Sequence, residues 1–141
     1  MTTISKILSL KPEIFSVEPD ATVFDALRLM EERNVGALLV MQGGRLVGIF
    51  SERDYARRMV LHGRASKDTP VREVMTPDVF VITPDVTSGE CMVHMTDRHV
   101  RHLPVVEGGR VVGVISIGDV VRAVIEDLRF TINQLEGYIR S

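Results

Sequence analysis

The chain aligns with itself, without a gap, when shifted by 65 residues. Residues 19–54 fall on residues 84–119, and the coincidences go beyond hydrophobicity. Pro19/Pro84, Asp20/Asp85, Thr22/Thr87, Gly43-Gly44-Arg45/Gly108-Gly109-Arg110, Gly48/Gly113, Ser51/Ser116 and Asp54/Asp119 all match. A shared helical or strand period reproduces apolar positions, but not Gly, Pro, Ser and Asp at fixed offsets. This is a duplication, and its period excludes a coiled coil or a collagen-like array as the basic architecture.

Each copy reads as β-α-β-β-α. A short strand, about 15–17 and 79–82, precedes Pro-Asp. A helix then starts at Thr22 or Thr87, where Thr-x-x-Asp/Glu has the spacing of a capping box. Val23, Ala26, Leu27 and Met30 form its apolar stripe; Cys91, Met92 and Met95 repeat it. Two strands follow, 37–41 with 46–50 and 102–106 with 111–115. Their Gly-Gly connections suit tight hairpins, because glycine tolerates positive φ. A last helix starts at Ser51 or Ser116. The polar stretch 62–70 is a linker and 71–75 a helical turn. The division expected is therefore a first unit over 1–61, a linker over 62–70 and a second unit over 71–141. The final helix, from about Ile117 to Tyr138, carries Val120, Val121, Val124, Ile125, Leu128, Ile132, Leu135 and Ile139 at helical spacing. That is more apolar surface than one small unit covers, so it invites a partner or folds back on its own core.

At 141 residues, 45% apolar and 26% charged, the chain suits one ordinary soluble domain or two very small units sharing a core. A unit of three short strands and two helices buries too little surface alone. Two copies should pack about a pseudo-twofold axis and leave two equivalent clefts, a common place for ligands. The net charge of -2 gives no electrostatic case for nucleic acid or anionic membranes. No apolar run is long enough to span a bilayer and the start lacks a signal-type core, which reads as cytoplasmic. Cys91, the single cysteine, lies on a helical apolar stripe and reads as a core residue.

Polar residues repeated in both copies converge on Gly48-x-x-Ser51-x-x-Asp54 and Gly113-x-x-Ser116-x-x-Asp119, where a strand enters a helix. Helix N–H groups there suit a phosphate. The serine can bond phosphate or ribose, and an acidic residue can accept both hydrogens of a ribose diol. Ser-x-x-Asp is equally a plain helix cap. The preceding glycine fits a cap less well, because it marks close approach to the backbone. Enzyme chemistry finds little here. His99 and His102 have no cysteine or paired carboxylate beside them, and neither a phosphate loop nor a dinucleotide fingerprint occurs.

The Pro-Asp-x-Thr starts, the strand Leu103-Pro104-Val105-Val106, the Gly-Gly hairpins and the doubled Gly-x-x-Ser-x-x-Asp resemble cystathionine-β-synthase (CBS) domains, here as a tandem pair, over about residues 5–125. The stretches 51–58, 101–105 and 116–121 look like those of small stand-alone bacterial CBS-pair signal-transduction proteins. The resemblance implies a non-enzymatic α/β (α+β) sensor, a homodimer acting on an unidentified regulated protein, and an adenosine ligand: AMP, ADP, ATP, NAD(H) or S-adenosylmethionine. It also implies crossed sites. One joins Val79, Phe80, Arg101 and His102 to Ser51, Glu52, Arg53 and Asp54. The other joins Ile14, Phe15, Gly36 and Ala37 to Ser116, Ile117, Gly118 and Asp119. The first is richer in cations, with Arg57, Arg58, Arg72 and Lys67 nearby, and should favour phosphorylated ligands; Lys6 or Lys11 supplies charge to the second. The competing reading is a ligand-independent dimerisation or scaffold module.

Overall fold

The computed structural model describes residues 1–11 and 13–140. In chain order the elements are α1 (Ile4–Leu8), β1 (Ser16–Val17), α2 (Val23–Arg33), β2 (Ala37–Gln42), β3 (Arg45–Ser51), α3 (Glu52–Arg58), α4 (Ser88–Arg98), β4 (His102–Glu107), β5 (Arg110–Ser116) and α5 (Ile117–Arg140). Two 3-10 turns, Val60–His62 and Val71–Glu73, flank the linker. The expected duplication is present in the helix, the hairpin and the following helix of each copy. Thr22 and Thr87 cap α2 and α4, each accepting from the backbone N–H three residues on. Both helices end on a left-handed residue, Asn34 and His99, each at φ 54°. His99 is thus a helix terminator. Each Gly-Gly pair has positive φ at both positions, the mark of a type I′ hairpin turn. Each hairpin carries a register shift at the same place, Val40/Met41 and Val105/Val106.

The first strand differs between copies. β1 pairs in parallel with β2, and Leu39 donates its N–H to Phe15 O. At the equivalent of Leu39 the second copy has Pro104, which has no N–H to donate. The strand expected over 79–82 is accordingly reduced to a bridge, Ile82 to Val105, held by Ile82 N–H to Pro104 O and Val106 N–H to Ile82 O.

The chain forms two compact units, divided otherwise than the linker suggested: Ile14–Phe80, and Met1–Glu13 with Val81–Ser141. They are called here the Asp54 unit and the Asp119 unit. The segment before each copy packs on the other copy's elements. In the Asp119 unit Ile4 N–H bonds Val86 O, Ser88 N–H bonds Thr2 O, and Ile4 and Ile7 are buried. In the Asp54 unit Val71 N–H bonds Ala21 O, Val23 N–H bonds Thr69 O, and Val71 and Val74 are buried. Residues 62–80 therefore belong to the first unit and residues 1–11 to the second, each lending buried side chains to its core. The reason is burial. Val71 and Val74 join Val23, Ala26, Met30, Leu38, Val40, Phe50 and Met59 in one cluster, which the copy by itself leaves open on that side.

Cys91 is buried, and burial pushes its thiol up to about 11. It should resist a thiol-specific disulfide reagent in the native state and react once urea unfolds the protein; native labelling at the unfolded rate would contradict its place in the core. Gly48 and Gly113 sit under these same segments. A Cβ at Gly48 would lie 2.5 Å from Met75 Sδ and 3.0 Å from the Thr76 carbonyl oxygen, whereas at Gly113 it meets only the Leu8 side chain, at 2.4 Å. Gly48→Ala should cost about 1–3 kcal/mol in urea unfolding and Gly113→Ala less, because a leucine tip can move aside and a backbone carbonyl cannot.

Candidate functional site

The Ser-x-x-Asp sequences form reciprocal caps. Ser51 N–H donates to Asp54 Oδ2 (2.9 Å) while Asp54 N–H donates to Ser51 Oγ (3.3 Å). Ser116 and Asp119 repeat this at 2.9 and 3.2 Å. Both serine hydroxyls also donate to Oδ2, at 3.1 and 2.8 Å. The cap is therefore real in both copies. Two N–H groups expected to meet phosphate are also already used: Glu52 N–H bonds Gly36 O (3.1 Å) and Ile117 N–H bonds Arg101 O (2.8 Å). The glycine finds its own explanation too, since the close approach to its backbone comes from Met75 and Leu8 of the same chain.

What the caps leave open is the second carboxylate oxygen. A carboxylate offers about four acceptor positions. Asp54 Oδ1 accepts from Thr76 Oγ1 at 3.1 Å, with Arg58 3.8 Å away. At Asp119 all the bonds the described residues make converge on Oδ2, including one from Lys11 Nζ at 2.6 Å. The Lys11 ammonium also donates to Val114 O at 3.1 Å. Thr76 and Lys11 hold matching positions in the two segments, so one copy places a hydroxyl against its aspartate and the other an ammonium. The first copy draws its positive charge instead from Arg58, one turn along α3; the second has Ala123 there.

Around each aspartate the structure gathers half of each expected site. Gly36 and Ala37 adjoin Ser51 and Glu52, through the Glu52–Gly36 bond and the Ala37–Ser51 pair of the β2–β3 ladder. Val79 and Phe80, both partly buried, belong to that same unit, as do Ile14 and Phe15. Phe15 carries the Arg33 guanidinium over its ring at 5.2 Å. Arg101 and His102 adjoin Ser116 and Ile117 through the Arg101–Ile117 bond and the His102–Ser116 pair. Arg53 and Gly118 are exposed at the first turns of α3 and α5. Of the cations expected nearby, Arg58 also donates to Val74 O and Met75 O, Arg72 pairs with Asp20, and Lys67 lies 5.0 Å over the Phe24 ring. Lys11 and Thr76 are the contacts that the repeat alignment missed. The signal was present: Leu10-Lys11-Pro12-Glu13 and Met75-Thr76-Pro77-Asp78 lie at the same 65-residue offset, just outside the stretch that aligns best.

The charge balance differs accordingly. Burial works to raise the Asp119 pKa, but the Lys11 ammonium together with the Ser116 N–H and hydroxyl outweighs it and holds the carboxyl below its ordinary value. His102 is pushed down, chiefly by burial and next by Lys11, against an opposing pull from Asp119. Among the described residues no group of three or more His, Cys, Asp and Glu is placed to hold a metal ion, and no helix is long and apolar enough to cross a membrane.

A depressed carboxylate contributes stability above its unfolded pKa of about 3.9 and loses it as pH falls through the folded value. Asp119→Asn should therefore cost about 1–3 kcal/mol at neutral pH, with the gap to wild type closing below about pH 4 in urea titrations. Lys11→Met should move the acid-side loss to higher pH, because burial then meets less opposition. An Asp119→Asn deficit that persists undiminished in acid would contradict the ion pair's role.

Comparison with known proteins closes the description. The family model described as CBS domain matches twice, over residues 4–61 and 71–126. CBS domain-containing protein CBSX3 of Arabidopsis thaliana is 42% identical over 126 residues, which is 86% of this chain and 61% of that protein. The chain thus spans somewhat under two thirds of that relative's length. CBS domain-containing protein YhcV of Bacillus subtilis is 34% identical over 107 residues, 76% of either chain. The solved structure of a protein with CBS domains from Burkholderia ambifaria MC40-6 superposes with a TM-score of 0.86 at 47% identity, covering 89% of this chain and 96% of that one. The CBS domain pair of protein MJ0100, solved in complex with 5′-methylthioadenosine and S-adenosyl-L-methionine, superposes at 0.78 with 23% identity over 90% of this chain and 98% of its own, a likeness of fold.

Proposed function

This chain belongs to the CBS domain family, and on that premise we propose that it is a regulatory, non-catalytic module that binds an adenosine-containing ligand at its two Ser-x-x-Asp sequences. The observation that carries the reading is the orientation of the two aspartates. Each is locked by its own cap through Oδ2, which leaves Oδ1 as the acceptor for a ribose diol. A ribose bound there lies beside the start of a β-strand, at Gly36-Ala37 or Arg101-His102. The MJ0100 domain pair, with its methylthioadenosine and S-adenosylmethionine, supports the nucleoside as the shared element of recognition. AMP, ADP, ATP and NAD(H) carry the same nucleoside and belong to the reading.

The two aspartates make the copies unequal. At Asp119 an incoming ribose meets an ammonium already seated, whereas at Asp54 it meets a threonine hydroxyl that can turn to donate or accept. Ligands that carry phosphate should therefore engage Lys11 on one side and the arginines Arg53 and Arg58 on the other. Binding can act on a partner only if the ligand prefers one conformation over another. The same reading has the chain working in the cytoplasm as a homodimer. The competing scaffold reading draws on one observation: both caps are complete without any ligand.

Thermal shift with AMP, ADP, ATP, NAD, NADH, 5′-methylthioadenosine and S-adenosylmethionine tests this directly. A ligand at 100 times its Kd adds about 2.7 kcal/mol, a rise of several degrees. At least one compound should raise the midpoint, and the Asp54→Asn/Asp119→Asn pair should abolish the rise while the protein still folds. A flat response to every compound at millimolar concentration would leave the scaffold reading in possession.

A further inference from the structure

The last helix presents two faces with different fates. Val120 and Ala123 are buried where α5 packs on α4 and β5. Turned by about 130° from the middle of that face, at 100° per residue, run Val121, Ile125, Leu128, Ile132, Leu135 and Ile139. These six are exposed along the whole helix, from 38% at Val121 to 81% at Ile139. Their spacing alternates four and three without a break, which is a heptad seam rather than the broader stripe of a helix lying on a globular core. In heptad terms Ile125, Ile132 and Ile139 take the a positions, and Val121, Leu128 and Leu135 the d positions. A groove of about 450 Å³ opens beside the seam's first turns, lined by Gly118, Val121 and Ile125 with Arg122 and Arg129 at its edge.

We propose that this seam is covered by the same helix of a second copy, in a parallel two-stranded coiled coil. The proposal rests on the homodimer reading above and gives it a surface and a direction. Isoleucine at a with leucine at d is the combination that favours two parallel strands. In the parallel arrangement the e residues Arg122, Arg129 and Glu136 face Ile117, Val124 and Thr131 at the partner's g positions, and no like charges meet. Running the helices in opposite directions in full overlap brings Arg129 against the partner's Arg129 near the centre but Arg122 against the partner's Glu136 on both sides, so the direction rests on the split of isoleucine at a and leucine at d. Gly118, at the first a position of the helix, has no side chain to hold a partner helix away.

Sedimentation equilibrium on the intact chain and on Leu128→Asp/Leu135→Asp reads the seam. Wild type should be a dimer and the variant a monomer with an unchanged thermal transition of the globular units, because both side chains point away from them. In a Cys91→Ala background, Leu135→Cys alone should oxidise to a covalent dimer, since d residues of parallel helices face their own copies. A double variant that stays dimeric overturns the seam and leaves the homodimer reading standing; a monomeric wild type overturns both. Failure of Leu135→Cys to link with itself, together with linkage in a mixture of Ile125→Cys and Leu135→Cys, overturns the parallel direction.

Discussion

Each unit depends on a segment that is remote in sequence or belongs to the linker, laid across a helix start and over a glycine. In the Asp54 unit residues 69–76 bond the entry to α2 and rest on Gly48; in the Asp119 unit residues 2–11 bond the entry to α4 and rest on Gly113. Without the segment, a hairpin and two helices leave the inner face of the sheet uncovered. With it, Val71 and Val74, or Ile4 and Ile7, close that face. The glycine is the condition for this closure, because a side chain there occupies the volume that Met75 or Leu8 fills.

The same segments set the electrostatics of the aspartates. Once Met75 or Leu8 is seated, the next turn of chain has to pass the carboxylate. It delivers Thr76 to Asp54 and Lys11 to Asp119. A duplicated fold therefore surrounds its two aspartates with unlike charges. In one, charge comes from α3 through Arg58; in the other, from the segment through Lys11. Packing and the Lys11–Asp119 ion pair are thus mechanically joined, since anything that displaces Lys11 from Asp119 also pulls on a chain segment whose neighbours are buried. That is a physical route by which a small ligand can alter the stability of a whole unit.

Under the proposed function, the Ser-x-x-Asp pair serves both structure and chemistry. Capping fixes the aspartate through one oxygen and so aims the other. The cap is not an alternative to a binding role; it removes the rotamer freedom that a binding carboxylate otherwise loses on meeting its ligand. The long α5 extends this economy of means. Its early turns complete a globular core and its heptad seam runs on past that core.

The sequence by itself determined the repeated elements. Thr caps, Gly-Gly hairpins, the Ser-x-x-Asp boxes and the apolar stripes are interactions within a few residues, and their chemistry is readable from neighbours. It also determined the family, because the Pro, Gly, Ser, Thr, Arg and Asp positions that coincide do so only where one unit is duplicated. The loss of a full first strand in the second copy was legible in principle from Pro104, whose missing N–H removes a ladder bond. Tertiary structure alone decided which segment closes which unit. Lys11 meets Asp119 across 108 residues and Thr2 meets Asp127 across 125. Such contacts leave no local pattern, because they arise from burial summed over a whole core rather than from any spacing along the chain.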